Sequence, residues 1–237
     1  MSTLSPMPVT TIPRKIRFLA GLIAIEVLLL LGWRFPTIFA QLGLDNALWA
    51  SEKLTWYLTR SSGTVAYIVL SASTVWGLLL STKLIKELVP APVALAMHNS
   101  LSWIAIGLAA FHAFVLLFDN YYTYTISNLL IPFTGPYQPL WVGIGTLAFY
   151  LILLLSATFY MRQWIGAKTW RRLHYLTFAA YAMITLHGWL AGTDSAAFAW
   201  LYGASTIAVL FLTIYRIAAA IGSTSRAPQH KLQRAAN

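Results

Sequence analysis

The stretch that decides the fold is residues 93–118, VALAMHNSLSWIAIGLAAFHAFVLLF, an apolar run that contains no Asp, Glu, Lys or Arg. A helix needs about 20 apolar residues to cross the roughly 30 Å hydrocarbon core of a bilayer. This run is long enough, and it holds two histidines, His98 and His112. It therefore predicts a membrane-spanning helix with two imidazoles inside it.

Five more runs of the same kind predict five more spans. The chain of 237 residues is 59% hydrophobic and 9% charged, whereas soluble domains carry about 25% charged residues. Long continuous apolar runs favour helices, because backbone polar groups in lipid must be bonded internally. We expect an all-α integral membrane six-helix bundle over residues 17–217, with an N-terminal segment, 1–16, and a polar tail, 218–237. The five additional runs are 17–35, 63–82, 141–161, 173–192 and 197–217.

The distribution of Lys and Arg predicts the orientation of the bundle. With the N-terminus in the cytoplasm, only Arg34, Lys53 and Arg60 of the 16 Lys and Arg residues fall in outer segments. The positive-inside rule therefore predicts that both termini are cytoplasmic. The remaining basic residues, all in the inner segments, are Arg14, Lys15, Arg17, Lys83, Lys86, Arg162, Lys168, Arg171, Arg172, Arg216, Arg226, Lys231 and Arg234.

Composition excludes several classes of function. The sequence has no cysteine, which excludes disulfides, thiolate metal sites, iron–sulfur clusters and covalently attached c-type haem. The net charge is +10, but the basic residues lie in short segments between apolar runs, as membrane insertion requires. We therefore expect these basic residues to face the lipid bilayer, and we expect no nucleic-acid partner.

The first apolar run has two interpretations. It is long enough for a retained span, yet Arg14, Lys15 and Arg17 before it also resemble the start of a cleaved signal peptide. Glu26 lies inside this run. An ionisable group at membrane depth marks either function or a neutral, hydrogen-bonded structural carboxyl, and the sequence does not choose between them.

Four histidines carry the predicted chemistry. His98 and His112 are 14 residues apart in the third run, and His174 and His187 are 13 apart in the fifth. At 1.5 Å per residue each pair spans about 20 Å along its helix. Because both helices run from inside to outside, facing helices would pair His98 with His174 near the inner surface and His112 with His187 near the outer surface.

Two imidazoles without an accompanying thiolate or carboxylate favour axial ligation of haem iron. Without cysteine the haem is not covalently attached, so we expect two b-type haems. One feature opposes a regular helix: at 100° per residue, 13 residues leave His187 about 140° away from His174. The spacing therefore predicts a wide turn or bend between them, near Gly188, or a lateral offset of the two haems.

Haem propionates need cations, and three arginines are candidates. Arg171 and Arg172 come just before His174 and suit the inner haem, with Lys168 as a further candidate, while Arg60 precedes the second run on the outer side. The inner residues are equally explained as interfacial anchors, whereas Arg60 lies on the side where basic residues are scarce and favours the propionate role. Three aromatic residues between the ligands would pack either on the macrocycles or against neighbouring helices: Trp103, Phe178 and Tyr181.

This set of motifs resembles the ferric-reductase-like transmembrane domain, the family of ferric reductases, NADPH oxidases and the haem-binding membrane subunit of a bacterial methionine sulfoxide reductase system. The resemblance covers about residues 60–217. It implies two b haems that pass electrons from the cytoplasm to an outer acceptor, with the family's ligands at the four histidines. The motifs are Arg60-Ser61-Ser62-Gly63, His98, His112, Trp170-Arg171-Arg172-Leu173-His174, His187-Gly188 and Gly192-Thr193-Asp194.

The resemblance also implies an electron donor. Ferric reductases and NADPH oxidases continue into flavin- and nicotinamide-binding domains, but here only a short polar segment follows the last run, without a Gly-rich nucleotide fingerprint. We expect electrons to come from a separate cytoplasmic flavoprotein reductase, which would hold the flavin, or from a membrane quinol. The expected location is a bacterial plasma membrane. The basic segment 162–172 would dock an acidic donor, although membrane topology also explains its charge.

Three functions remain open. The first is an electron-transfer subunit with an unidentified outer acceptor, and the second is a stand-alone reductase of ferric iron or oxygen by outer-sphere transfer. The third is a membrane transporter or scaffold without haem, whose histidines relay protons or only pack. The outer loop 119–140 either covers the outer haem or rests on headgroups.

Overall fold

The computed structural model describes residues 53–82 and 84–235, with side chains as far as residue 221, and every regular element in this part of the chain is helical. The predicted N-terminal segment, the first span with Glu26, and the side chains of residues 222–237 lie outside the described residues. The elements are α1 (Leu54–Thr82), α2 (Ala91–Val115) with a closing 3-10 turn (Leu116–Phe118), α3 (Ile126–Leu130), α4 (Pro139–Ile165), α5 (Ala167–His174), α6 (Leu176–Ala191) and α7 (Ala199–Ala235).

Proline and glycine set the limits of the long helices. Pro92 lies in the first turn of α2 and Pro139 is the first residue of α4, where the missing N–H of proline has no intrahelical partner to lose. Gly166 ends α4 with φ +82, a backbone conformation that glycine adopts without steric cost. The chain can therefore leave α4 and start α5 at the next residue.

Four helices are long and apolar enough to cross a membrane: Leu54–Thr82, Ala91–Phe118, Pro139–Ile165 and Ala199–Ile221. They correspond to the second, third, fourth and sixth predicted spans, the last of which begins two residues later than predicted. Two further boundaries differ from the prediction. Helix α1 begins nine residues before the predicted start at residue 63, so Arg60 lies inside the helix. The predicted fifth span is divided between α5 and α6, and α6 has only 16 residues.

Helix α2 carries two of the four histidines and α6 carries one, and these two helices do not pack directly on each other. Helix α4 packs closely against α2 and most extensively against α6, whereas the backbones of α2 and α6 scarcely approach one another. Buried side chains form two small clusters. One contains Ile106, Ile152 and Ala180, and the other contains Leu78, Tyr181, Val209 and Leu212. The space between α2 and α6 is therefore bounded by α4.

The outer surface of the helices is strongly apolar. Ile207 and Phe211 on α7 are 68% and 66% exposed, and Leu154 on α4 is 61% exposed. Contiguous apolar surface of this kind mediates contact with protein or lipid, because it would be costly in water. Together with the four long apolar helices, it indicates a membrane protein.

The Leu78 cluster gives a test of the packing of α1 against α6 and α7. We expect Leu78→Ala to lower the free energy of unfolding by about 2 kcal/mol, at the low end of the Leu→Ala range, because detergent or lipid reduces the transfer contribution. Thermal unfolding in detergent, followed by tryptophan fluorescence, measures the change. The matched control is Leu154→Ala, at an exposed position, and equal stability of the two variants would contradict the packing.

Candidate functional site

The structure brings the four histidines together in two pairs, the same two that the spacing predicts. His98 on α2 faces His174 at the end of α5, with ring centroids 6.2 Å apart and planes at 83°. His112, one turn before the end of α2, faces His187 on α6 at 6.2 Å and 75°. We call these the inner and outer pairs, after the predicted orientation.

Three of the four imidazoles are held by a backbone carbonyl of a neighbouring helix. Nδ1 of His98 lies 3.0 Å from Ser73 O, Nδ1 of His112 lies 2.7 Å from Thr59 O, and Nδ1 of His187 lies 2.9 Å from Trp141 O. A carbonyl only accepts hydrogen bonds, so Nδ1 must carry the proton and donate it. This tautomer leaves the Nε2 lone pair free, the arrangement that metal-binding histidines adopt.

Glycine makes room for each of these three rings. A Cβ atom added to Gly63 would come 2.8 Å from His112, one at Gly77 would come 3.0 Å from His98, and one at Gly145 would come 2.7 Å from His187. Each distance is at or below the closest approach that side chains tolerate. The glycine and the carbonyl that accepts the Nδ1 proton lie on the same helix and within one turn, because Thr59 precedes Gly63, Ser73 precedes Gly77 and Trp141 precedes Gly145.

His174 is held differently, by an aromatic ring. Its imidazole stacks on the Trp170 indole, with centroids 5.2 Å apart and planes at 27°. It is the last residue of α5, and the Thr177 hydroxyl donates to its carbonyl at 2.6 Å. The local sequence Trp170-Arg171-Arg172-Leu173-His174 therefore positions the His174 imidazole through a one-turn spacing between tryptophan and histidine.

The predicted irregularity between His174 and His187 is confirmed, but its position and kind differ from the prediction. The helix is interrupted at Tyr175 rather than near Gly188, and the turn is tight rather than wide. Tyr175 N donates to Arg172 O and Phe178 N donates to Tyr175 O, at 3.3 and 3.2 Å. Such turns advance about 120° per residue instead of 100°. The extra rotation turns His187 towards the side of His174.

The outer pair lies in a cavity of about 530 Å³, a size typical of ligand pockets. Its wall is mostly apolar, and small residues of α2 form one side, namely Ala105, Ala109, Ala110 and Ala113. The outer loop forms part of the wall through Tyr122 and Tyr124. Tyr124 is 7% exposed, and this burial raises the pKa of its hydroxyl. The loop therefore covers the cavity.

The predicted cation sites have different surroundings. Arg60 lines the outer cavity, where its guanidinium lies 2.8 Å from the Asp194 carboxylate and 4.7 Å from the Trp56 ring centre. Arg171 and Arg172 are exposed on α5, as is Lys168. Their propionate-binding roles stay predictions.

Arg216 is a basic residue near the inner pair that the sequence did not single out. It lies on α7, its guanidinium is 5.4 Å from the ring centre of Tyr175, and it donates to the Tyr175 hydroxyl at 3.4 Å. Tyr175 directly follows His174. The Arg216 guanidinium comes close to the inner pair only because α7 packs near the interruption at Tyr175. No local sequence pattern indicates this contact.

A cluster of hydroxyl groups lies in the interior at the level of α6 between His174 and His187. Tyr67 OH lies 2.7 Å from Ser205 Oγ and 3.3 Å from both Tyr181 OH and Thr185 Oγ1. Buried polar groups inside a membrane are stabilised by such mutual hydrogen bonds. Of the aromatic residues singled out from the sequence, Tyr181 joins this cluster and Phe178 packs beside it.

Trp103, the third of those aromatic residues, lies away from this interior. Its side chain is 41% exposed, and its Nε1 donates to Tyr160 OH at 3.0 Å. It is therefore an outward-facing residue of α2 and packs against α4.

The donor set fits a metal held in a macrocycle better than a bare ion. Among the described residues, no group of three or more His, Cys, Asp or Glu side chains is placed to hold a metal. Two imidazoles on opposite sides of one metal, with bonds of about 2.0–2.1 Å and ring bonds of about 1.35 Å, have ring centres about 6.3 Å apart. Both pairs match this separation, and a tetradentate macrocycle would supply the other four ligands.

Comparison of this chain with protein-family models, curated proteins and solved structures gave no match. The resemblance to the ferric-reductase-like domain therefore stays a prediction from the residues of this sequence.

The contact of Gly145 with His187 gives a direct test of the site geometry. We expect Gly145→Ala to push the imidazole from its place against α4 and to lower the free energy of unfolding by about 1–3 kcal/mol. Gly107→Ala is the matched control, because a Cβ there meets nothing within 4 Å and alanine favours the helix. Thermal unfolding in detergent should show a lower unfolding temperature for Gly145→Ala only. If Gly107→Ala is destabilised equally, Gly145 does not set the position of the His187 ring.

Proposed function

We propose that this protein carries electrons across a membrane through two b-type haems, each ligated by one histidine pair. The observation that carries the proposal is the 6.2 Å ring separation at both pairs. It occurs although the backbone of α2 scarcely approaches α5 and α6, which carry the partner histidines. Three of the four rings also have the Nδ1–H···O=C bond that leaves Nε2 free for a metal. A purely structural histidine has no need of all three features.

The bundle that would hold these haems has six spans, with both termini in the cytoplasm and the protein in a bacterial plasma membrane. The four long apolar helices support this topology, and the run 17–35 and the joined helices α5 and α6 would complete it. His98 and His174 then lie near the cytoplasmic face, with His112 and His187 near the outer face.

The side chains and backbone of this protein would perform three tasks. Bound haem supplies a one-electron centre at each pair. The carbonyls of Ser73, Thr59 and Trp141 orient the ligands and make them more basic, and the interrupted α5–α6 segment directs both of its histidines towards α2. The apolar wall of the outer cavity excludes water, which controls the dielectric around the cofactor.

Electrons would enter from a separate cytoplasmic flavoprotein or from a membrane quinol. The exposed basic residues Lys168, Arg171 and Arg172 lie on the short helix that ends in His174. They would place an acidic flavoprotein close to the inner haem, because complementary charge steers and orients such encounters.

Counting haem tests the proposal. In detergent-purified protein we expect two haems per chain from the reduced-minus-oxidised spectrum, and about one in each of His98→Leu, His112→Leu, His174→Leu and His187→Leu, because each pair needs both imidazoles. His230→Leu is the control, since His230 lies in the polar tail. A wild-type protein without haem would contradict the function and favour the transporter or scaffold, and full haem in all four variants would contradict the ligand assignment.

The outer cavity favours a second candidate, a reductase that needs no partner on the outer side. Tyr122 of the covering loop lines this cavity and is 41% exposed, so an acceptor that contacts Tyr122 would approach the outer pair from the surface. Haem with two axial histidines has no open coordination position, and reduction of a small acceptor there would be outer-sphere.

The kinetics of reoxidation separate the two candidates. The pre-reduced, purified protein is mixed with a ferric chelate, and the haem spectrum is followed over time. A carrier without a chelate site should give a rate that rises linearly with chelate concentration. A rate that saturates would show a binding step and favour the reductase, and Tyr122→Ala should then change the half-saturating concentration.

A further inference from the structure

Two buried polar atoms next to the histidine pairs have no hydrogen-bond partner. They are Trp170 Nε1 and Thr59 Oγ1, and the only other such side-chain atom among the described residues is Thr55 Oγ1. Buried polar groups are almost always paired, so each exception needs an explanation. Thr55 lies in the first turn of α1, where the described part of the chain begins.

Trp170 is fixed where it lies. Its indole stacks on His174 and meets Phe159 edge-on, with centroids 5.8 Å apart. The ring cannot turn its N–H towards water without losing both contacts. Other buried tryptophan donors in the bundle have partners, such as Trp76 Nε1, which donates to Ala94 O at 2.8 Å.

Thr59 is equally unusual among the threonines. Seven threonines in the described helices donate to a backbone carbonyl three or four residues earlier, and Thr146, in the wall of the same cavity, donates to Val142 O at 3.2 Å. Thr59 Oγ1 makes no such bond. The other six are Thr74, Thr82, Thr158, Thr177, Thr185 and Thr213.

Each of these two atoms adjoins a different histidine pair. Trp170 contacts His174 of the inner pair. Thr59 accepts the Nδ1 proton of His112 through its own carbonyl and lines the cavity of the outer pair. An indole N–H only donates, so its missing partner is an acceptor. Haem carries two carboxylates, which are acceptors strong enough to compensate for the burial of a donor.

We propose that Trp170 and Thr59 are cofactor-binding residues, each donating a hydrogen bond to a carboxylate of the haem held by the adjacent histidine pair. This inference rests on the proposed function. It differs from the cation sites predicted from the sequence, because Arg171 and Arg172 are exposed and Arg60 is already paired with Asp194.

The test uses two variants that remove only the donor. Trp170→Phe keeps an aromatic ring against His174, and Thr59→Val keeps the shape of the side chain. The matched controls are Trp164→Phe, 75% exposed near the end of α4, and Thr213→Val on α7, outside the cavity. The rate of haem transfer to a scavenging apoprotein, the reduction potential of each haem and thermal unfolding are measured on all four.

We expect each donor variant to lose one of its two haems about ten-fold faster than wild type, as expected for loss of a hydrogen bond to a charged group. The potential of that haem should become more negative, because its carboxylate charge is less compensated. The other haem and both controls should be unchanged. If both haems behave as in wild type in both donor variants, this inference is overturned and the proposed function stands. A wild-type protein without haem would instead contradict the proposed function.

Haem dimethyl ester, in which both carboxylates are esterified, distinguishes hydrogen bonding from packing. Reconstituted into wild type, the ester should be lost faster than haem. Trp170→Phe or Thr59→Val should then increase the rate of ester loss only slightly. If a variant speeds the loss of ester as much as the loss of haem, the residue acts by packing and the inference is wrong. Should a variant fail to fold, the wild-type comparison still decides, because equal retention of ester and haem would contradict any carboxylate contact.

Discussion

The site depends on one interaction that occurs three times: an imidazole Nδ1–H that donates to a carbonyl on a neighbouring helix, next to a glycine. In an ordinary helix the carbonyl is used within the helix and the side chains keep neighbouring rings away. Glycine one turn later opens the surface, so that the ring reaches the backbone oxygen. The carbonyl then fixes the tautomer, and Nε2 is the only nitrogen left for a metal.

This interaction also explains the arrangement of the helices. Helix α1 supplies the carbonyl and glycine for both histidines of α2, through Ser73 and Gly77 at one pair and Thr59 and Gly63 at the other. Helix α4 does the same for His187 on α6. The helices that do not bear ligands therefore act as supports. They hold the two imidazoles of α2 with ring centres 6.2 Å from those of His174 and His187.

His174 shows what happens without such a support. Its ring has an aromatic neighbour in place of a carbonyl, and it lies where the helix tightens into a 3-10 turn. The turn supplies rotation that a regular helix of 13 residues lacks, so both His174 and His187 can face α2. The inner site is thus held by one carbonyl, by stacking and by a local departure from helical geometry, and the outer site by two carbonyls.

The sequence determined several properties of this protein without help from the structure. Apolar runs longer than the bilayer is thick predict helices, and the start of α2 near Pro92 follows from the chemistry of proline. The spacing of the histidines predicts both pairs and an irregularity in the fifth run, because helix rise and rotation per residue are fixed quantities. The limits of α1 were less predictable, since a helix continues through polar residues such as Arg60 when its neighbours support it.

Only the tertiary structure decided how the histidines are held and what surrounds them. A carbonyl oxygen has the same chemistry in every residue, so nothing in the sequence distinguishes Thr59 or Trp141 as the acceptor for an imidazole. Arg216 reaches Tyr175, and the Trp170 N–H is left without a partner, because of the way separate helices meet. Such contacts depend on the relative position of elements far apart in the chain, and local sequence patterns carry no record of that position.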